Sequence, residues 1–254
     1  MLQQKEIKKI KIFFNTNGYA VIKKSIPKKL INNIQKQVHK MIKKGSIGNK
    51  IENIHYLKNK KLSSVHNISN YMPYHKNFFT HTEIHKVFYA IFGPFEKKWF
   101  NSSYFLKPKR VGIATKPHQD NAFFNLKPHE AITCWVPTTS VTKKNSSLYY
   151  YAGSHKGKLL PHNPEGNLGA SLCIQQKYIN KIKRKYKKHY VEVKKGDCII
   201  HNPLVIHGSK ENKSNINRGA FNFSMKSKKA KRNIKGWNDY RKKLNIYLNK
   251  RKKK

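Results

Sequence analysis

The sequence has few cysteines. Only three occur in 254 residues, Cys134, Cys173 and Cys198, and no two of them form a C-x-x-C pair. An odd number without close spacing argues against a disulfide framework and favours a reducing compartment. Cys134 and Cys198 lie in apolar runs, so we expect buried free thiols there.

Long apolar runs are also missing. No stretch approaches the ~18 consecutive apolar residues that indicate a transmembrane helix. Residues 1–11 mix Lys, Gln and Ile and lack the apolar segment of a signal peptide. The sequence therefore predicts no membrane span, and together with the cysteines it predicts a cytoplasmic location.

Acidic residues are scarce, at 11 against 55 Lys and Arg, and the formal net charge is +44. Such a charge can indicate binding to nucleic acid or to an anionic membrane. Here lysine is abundant along the whole chain and no RNA-binding motif is visible, which favours a biased composition. We expect no specific nucleic-acid partner, although the charge should favour an anionic substrate through steering.

The length suits one large domain, and 14 Tyr, 13 Phe and 3 Trp can fill a core. From Trp99 onward, short apolar runs alternate with turn residues, which predicts a β-sandwich or barrel. The predicted strands cover residues 101–106, 112–118, 132–136, 148–151, 189–193, 198–200, 204–207 and 219–225.

Residues 1–98 are predicted to be mainly helical. Helices are expected over 3–15, from Ser25 to Gly45 or Gly48, and over 81–92, with a short strand at 19–22. Residues 49–77 are expected to be irregular with at most one strand, and residues 156–188 to form a long insertion loop. In the basic segment 226–254, apolar residues at helical spacing predict a docked amphipathic helix followed by a disordered end.

His118-Gln119-Asp120 carries the first sign of chemistry. On a strand, residues i and i+2 point to the same face, so the imidazole and the carboxylate can converge. They make two thirds of the 2-His-1-carboxylate triad of non-haem Fe(II) oxygenases. Alone the triplet is weak evidence, because the chain has 13 His.

Later residues complete the pattern. His207 lies in Pro203-Leu204-Val205-Ile206-His207-Gly208-Ser209, and Arg218 follows eleven residues later. Two His and one Asp leave three positions on Fe(II) open, two for a 2-oxo acid and one for O2. An Arg fork suits the distal carboxylate of 2-oxoglutarate, and Trp135 could wall the pocket. We expect a strand, a turn and a neighbouring antiparallel strand to bring His207 and Arg218 side by side.

The ordered motifs over about residues 13–225 resemble the phytanoyl-CoA dioxygenase family. The resemblance rests on His118-Gln119-Asp120-Asn121, Trp135, Ala152-Gly153-Ser154-His155-Lys156-Gly157, Lys195-Gly196-Asp197, His207-Gly208-Ser209, Asn212, Ser214 and Arg218. It implies an Fe(II)- and 2-oxoglutarate-dependent dioxygenase on a double-stranded β-helix, that is, a cupin-like jelly roll. The chain would then divide into one oxygenase domain at 1–225, with a helical part at about 1–98 and a jelly-roll core at about 99–225, and a basic helix and tail at 226–254.

The resemblance also implies roles for single residues. His118, Asp120 and His207 would be the catalytic iron ligands, Arg218 would anchor 2-oxoglutarate, and Trp135 would line its pocket. The enzyme would use Fe(II), 2-oxoglutarate and O2 to hydroxylate a small-molecule or carrier-linked substrate, releasing succinate and CO2. The substrate and the oligomeric state are not readable from the sequence.

Several alternatives stay open at this stage. His201 is a rival ligand, since most relatives have an aromatic residue there; we prefer His207 because Gly208-Ser209 and the spacing to Arg218 fit it, and we expect His201 to face away. Ser154 and His155 either support the site or only shape a turn. The chain could instead be an inactive family member that acts as a binding protein, or a basic nucleic-acid-associated protein.

Overall fold

The structure is a computed structural model that describes residues 2–43, 54–71, 82–96, 98–164 and 172–252. The helices within these residues are α1 (Gln4–Asn17), α2 (Lys28–Lys43), α3 (Ile84–Phe92), α4 (Asn121–Phe124), α5 (Gln176–Lys185) and α6 (Ile234–Lys252), with 3-10 turns at Ile68–Asn70 and Ser154–Lys156. The strands are β1 (Tyr19–Ile22), β2 (Ile54–Tyr56), β3 (Leu62–His66), β4 (Asn101–Lys107), β5 (Thr115–His118), β6 (Leu126–Lys127), β7 (Ala131–Pro137), β8 (Leu148–Tyr151), β9 (His162–Asn163), β10 (Cys173–Ile174), β11 (Lys188–Val191), β12 (Cys198–His201), β13 (His207–Ser209), β14 (Arg218–Lys226) and β15 (Lys231–Arg232).

Two antiparallel sheets form the body of the fold. The larger has the strand order β1-β12-β7-β14-β4-β3-β2, and the smaller has the order β11-β8-β13-β5. Trp135, Ile199 and Ala220 from the larger sheet pack against Leu148 and Tyr150 from the smaller one. The sheets therefore face each other across a shared core, as in the predicted sandwich.

Strand alternation divides the larger sheet into two faces. On β7, Ile132, Cys134 and Val136 pack with residues of α1, α2 and α3 such as Phe14, while Trp135 packs between the sheets. Because neighbouring side chains on a strand point to opposite faces, one face of the sheet buries apolar residues under the helices. The other face is left to carry the polar residues of the site.

The predicted strands at 19–22 and 148–151 are confirmed at both ends. The strand predicted at 204–207 is wrong, because it begins only at His207. The preceding residues form a turn, in which the Leu204 N–H donates to Asn202 Oδ1 at 2.8 Å. Gly45, Gly48 and the start of the helix predicted at 81–92 lie outside the described residues.

The prediction of a long loop at 156–188 is wrong, because this segment contains β9, β10 and α5. Ile179 and Ile182 of α5 pack against Tyr149 and Tyr151 on the outer face of the smaller sheet. Before residue 98, β1 is the strand predicted at 19–22, and the segment predicted as irregular with one strand contains both β2 and β3; all three belong to the larger sheet.

The C-terminal segment is docked on the body of the fold. The Arg232 end of β15 pairs with Leu126 of β6, and the Tyr240 ring of α6 lies 5.6 Å from that of Phe123. A helix is therefore present where the apolar spacing predicted one. Cys134 and Cys198 are buried thiols, as predicted, and Cys173, for which burial was not predicted, is also buried. Of the described helices, none is long and apolar enough to cross a membrane.

Candidate metal centre and co-substrate pocket

His118 and Asp120 converge at the end of β5. The strand ends at His118, and Asp120 already has helical backbone angles where α4 begins. The two side chains still meet, with His118 Nε2 at 3.5 Å from Asp120 Oδ1. Gln119 fixes the turn from the opposite side, because its amide donates to the Leu204 carbonyl at 2.8 Å.

His207 reaches the same carboxylate from the neighbouring strand. In the antiparallel pair of β13 and β5, His207 lies directly opposite His118, and their rings are 4.2 Å apart. His207 Nε2 lies 3.7 Å from Asp120 Oδ1. His118, Asp120 and His207 are all buried, and one donor atom from each lies within 4.8 Å of the others.

Hydrogen bonds assign the imidazole tautomers. His118 Nδ1 lies 3.0 Å from the Lys116 carbonyl, and His207 Nδ1 lies 3.1 Å from the Val205 carbonyl. A carbonyl only accepts, so each Nδ1 carries the proton and each neutral ring keeps its lone pair on Nε2. Two lone pairs therefore face one carboxylate oxygen with no proton between them. A bound cation would satisfy all three, and nitrogen and carboxylate donors of this kind fit Fe(II).

His201 makes different hydrogen bonds from His118 and His207, and the expectation that it faces away from the site is wrong. Its Nε2 lies 3.0 Å from Asp120 Oδ2, and its Nδ1 lies 3.0 Å from the Tyr150 hydroxyl. Since the carboxylate only accepts, His201 donates from Nε2 and accepts from Tyr150 at Nδ1. With the opposite tautomer, His201 offers Asp120 a proton rather than a lone pair to a metal. Thr133 donates to the same Oδ2 at 2.8 Å.

The charge state of the cluster suits a cation. Burial raises the pKa of Asp120, but the neighbouring His207 and the contacts with His118 and His201 outweigh burial and hold that pKa well below its usual value. Burial and the neighbouring imidazoles hold the pKa of His207 well below its usual value. The site therefore offers a carboxylate and a neutral His207 at neutral pH.

Arg218 lines a cavity of about 730 Å³, including the solvent at its mouth, that also reaches His118 and His207. It is 2% exposed, its Cζ lies 5.4 Å from the centre of the Trp135 ring, and its Nε donates to the Ser146 carbonyl at 3.2 Å. Trp135 thus lines the same cavity. Burial lowers the pKa of Arg218 to about 10, so the guanidinium stays charged at neutral pH.

The expectation that His207 and Arg218 lie side by side on neighbouring antiparallel strands is wrong. His207 lies on β13 of the smaller sheet, and Arg218 lies on β14 of the larger one. They line one cavity because the two sheets face each other. Ser209, two residues after His207, connects them, since Arg218 Nη2 lies 3.4 Å from its hydroxyl.

Lys107 is a second buried cation that the sequence did not reveal. It lies directly opposite Arg218 in the pair of β4 and β14, and its Nζ donates to Ser209 Oγ and to the Lys210 carbonyl, each at 2.7 Å. Burial and the charge of Arg218 hold the pKa of Lys107 well below its usual value. In a chain so rich in lysine no sequence signal distinguished Lys107; only the strand register does.

Two open questions from the sequence have structural answers. Ser154 Oγ accepts from the Ile206 N–H at 2.8 Å and so holds the chain beside His207. His155 lies farther out, with Nε2 at 3.1 Å from the Asn15 carbonyl, and helps shape the turn. Another histidine, His85 on α3, has its Nδ1 at 3.0 Å from the Thr82 carbonyl.

The sequence matches the family model described as phytanoyl-CoA dioxygenase over residues 14–220. The chain belongs to the phytanoyl-CoA dioxygenase family. This assignment confirms the resemblance drawn from the ordered motifs and supports the expected dioxygenase class. The match ends within β14, so β15 and α6 lie beyond it.

Curated relatives share only part of their length with this chain. Bovine peroxisomal phytanoyl-CoA dioxygenase is 32% identical over 113 residues, which are 42% of this chain and 33% of that protein. The human peroxisomal enzyme is 34% identical over 115 residues, again 33% of its length. The chain thus spans about a third of these relatives.

Solved structures show the same fold. The epimerase SnoN, crystallised with Fe3+, alpha ketoglutarate and nogalamycin RO, has a TM-score of 0.72 at 15% identity, covering 90% of this chain and 86% of SnoN. EctD from S. alaskensis with bound Fe has a TM-score of 0.70 at 15% identity, covering 89% and 77%. These likenesses confirm the cupin-like jelly roll, and this chain holds in it a His-Asp-His set that could bind iron.

Proposed function

We propose that this protein is an Fe(II)- and 2-oxoglutarate-dependent dioxygenase that hydroxylates a small-molecule or carrier-linked substrate. The observation that carries the proposal is the convergence of two Nε2 lone pairs and Asp120 Oδ1 at one buried point. His118, Asp120 and His207 would be the iron ligands. Iron would supply the activation of O2, while 2-oxoglutarate would supply two electrons and leave as succinate and CO2.

The residues around the ligands have supporting roles in this proposal. Thr133 and His201 hold Asp120 Oδ2, which leaves Oδ1 for the metal. Arg218, Lys107 and Ser209 form the site for the distal carboxylate of 2-oxoglutarate. Trp135 stacks on the Arg218 guanidinium and closes that side of the cavity. Two buried basic side chains favour a dianionic co-substrate, because an anion placed between them stabilises the charged form of both.

Succinate formation tests the proposal. Purified protein is incubated with Fe(II), 2-oxoglutarate and O2 and a panel of fatty acyl thioesters and amino-acid-like solutes. We expect succinate only with Fe(II), and none from His118→Ala or Asp120→Ala. His85→Ala is the matched control. It changes a histidine on α3 that is not a proposed ligand, and it should keep full activity. Undiminished turnover in His118→Ala would refute the ligand assignment.

The same preparation separates the two alternatives. A family member that acts only as a binding protein would bind substrate without retaining iron or forming succinate. A nucleic-acid-associated protein would bind nucleic acid with a steep salt dependence and a clear sequence preference. The cytoplasmic location remains our proposal, while bovine and human relatives are named peroxisomal; fractionation with marker enzymes tests it.

A further inference from the structure

A second cleft lies next to the metal site and is closed by the C-terminal helix. It has a volume of about 1260 Å³, including the solvent at its mouth, and α4 and α6 form two of its sides. Phe123 of α4 links the two sites, because its ring lies 6.1 Å from the His118 ring and 5.6 Å from the Tyr240 ring. A molecule in this cleft would be one side chain away from a metal ligand.

The wall formed by the C-terminal segment is anchored by its backbone. Arg232 pairs with Leu126 in the small sheet of β15 and β6, and the Asn233 N–H donates to the Asn125 carbonyl at 2.7 Å. Gly236 packs so closely that an added Cβ would lie 2.7 Å from Asn125 Oδ1. This segment follows the part of the chain that matches the family model.

Two arginines on this wall lie close to the same indole ring, that of Trp237. Arg232 Cζ lies 5.1 Å from the centre of the Trp237 ring, and Arg241 Cζ lies 4.8 Å from it. A guanidinium that stacks by its face still directs N–H donors from its edge, in the fork that matches carboxylate and phosphate. Among the described residues that line the cleft, none is acidic. The two arginines therefore give this wall of the cleft a positive charge.

Aromatic side chains also line the cleft. Phe100 and Phe124 pack edge to face with centroids 4.8 Å apart, and Phe123 and Tyr240 continue the surface. Leu244 adds an aliphatic contact from α6. Aromatic and aliphatic walls with few charged groups at one end are typical of a site for a partly apolar small molecule.

We infer that this cleft is a binding site for an organic anion with an apolar body, whose carboxylate or phosphate group lies at Arg232 and Arg241 and whose body lies on the phenylalanines and Tyr240. That this ligand is the substrate rests on the proposed function. Binding itself does not, since the cleft contains none of the three proposed iron ligands.

Calorimetric titration of the full chain, with and without Fe(II) under anaerobic conditions, tests the inference. The probes are octanoate, octyl phosphate, octanol and inorganic phosphate. We expect at least one of the two octyl anions to bind about tenfold or more tightly than octanol and than phosphate alone, since charge-assisted contacts are worth at least this much. Tight binding of only octanoate or only octyl phosphate identifies the head group as carboxylate or phosphate.

Charge-matched variants separate the cleft from the general positive charge of the chain. The double variant Arg232→Gln with Arg241→Gln should lower the affinity for the octyl anion about tenfold and leave the affinity for octanol unchanged. The double variant Lys235→Gln with Lys242→Gln removes the same charge from exposed positions of α6 outside the cleft lining and should change the affinity less than twofold. Leu244→Glu, which places a carboxylate in the cleft, should also weaken the octyl anion.

Two results would overturn the inference: equal affinity for the octyl anions and octanol, or equal losses in the arginine and lysine double variants. Neither depends on turnover, so both leave the succinate assay to judge the proposed function. Conversely, anion binding in the cleft without any succinate would contradict the dioxygenase proposal and leave the binding site intact.

Discussion

His201 donates a hydrogen bond from Nε2 to Asp120 Oδ2 at 3.0 Å and accepts one from the Tyr150 hydroxyl at 3.0 Å. With Thr133 on the same oxygen, this contact fixes the rotation of the Asp120 carboxylate. The remaining oxygen, Oδ1, then points to the Nε2 atoms of His118 and His207. His201 therefore orients Asp120, and its Nε2 offers a proton where the proposed ligands His118 and His207 offer lone pairs.

Replacing His201 should weaken metal binding without abolishing it. His201→Phe removes one of two hydrogen bonds to Asp120 Oδ2 and should lower the affinity about 10-fold to 100-fold, the usual range for partners of metal ligands. His201→Gln, whose amide can donate, should recover part of the loss. Titration of the metal-free protein with Co(II), followed by visible absorption, gives the affinity.

Tyr150→Phe is the matched control for that series, since it leaves the Asp120 contact in place and should lower the affinity less than His201→Phe. If His201→Phe bound metal as tightly as the unaltered protein, the positioning role would be wrong. If it bound no metal while His207→Ala still did, His201 would be the ligand.

Lys107 should contribute to 2-oxoglutarate binding together with Arg218. Lys107→Met removes a cation that shares the Ser209 hydroxyl with Arg218 and should weaken 2-oxoglutarate about tenfold, as expected for the loss of one charge-assisted contact. The ligand-free variant should melt no lower than the unaltered protein, because like charges directly opposite on a sheet destabilise it.

Anaerobic calorimetry with Fe(II) present measures the first effect, and thermal unfolding measures the second. Lys109→Met, on the exposed stretch after β4, removes the same charge as a control. An unchanged 2-oxoglutarate affinity in Lys107→Met would show that the second cation has no part in the site.

Acid should destabilise the fold through His66. Burial, with a smaller contribution from His55, lowers the pKa of His66 to about 3, and its ring nitrogens bond to the hydroxyls of Ser64 and Ser103. Between about pH 6.5, the unfolded value, and about pH 3, the unfolded chain binds a proton that the folded chain excludes. The free energy of unfolding should therefore fall as the pH drops through this window.

Urea unfolding at pH 7 and at pH 5 measures this effect. His66→Gln should lose less stability between the two pH values than the unaltered protein, by at most about 1.4 kcal/mol for each pH unit. Equal losses in the two proteins would contradict the assignment of this pH dependence to His66.

The sequence predicted which side chains converge better than it predicted the residues that hold them in place. His118 and Asp120 were found from strand alternation, although the strand ends at His118 and the turn into α4 brings Asp120 into place. The orientation of His201 could have followed from β12, where Ile199 and His201 share the face opposite Cys198 and Ile200. Which face looks inward depends on the pairing of β12 with β7, and that pairing is not local information.

Other misses have the same physical origin. Lys107 matters because β4 pairs with β14 and places it opposite Arg218, a contact between residues more than a hundred positions apart. The helix α5 was missed although Ile179 and Ile182 lie at helical spacing, because lysines dominate the segment around them. Its stability comes from the tyrosines of β8 on which it packs, and packing of this kind outweighs local composition.

Anaerobic loading with Fe(II) tests the central claim most directly. Iron content is measured after removal of free metal, and visible absorption is recorded while 2-oxoglutarate is added. We predict one iron for each chain and a new absorption band that appears only with 2-oxoglutarate, both lost in Asp120→Ala and retained in His85→Ala. Iron retention and an absorption band in Asp120→Ala equal to those of the unaltered protein would contradict the assignment of His118, Asp120 and His207 as the metal site.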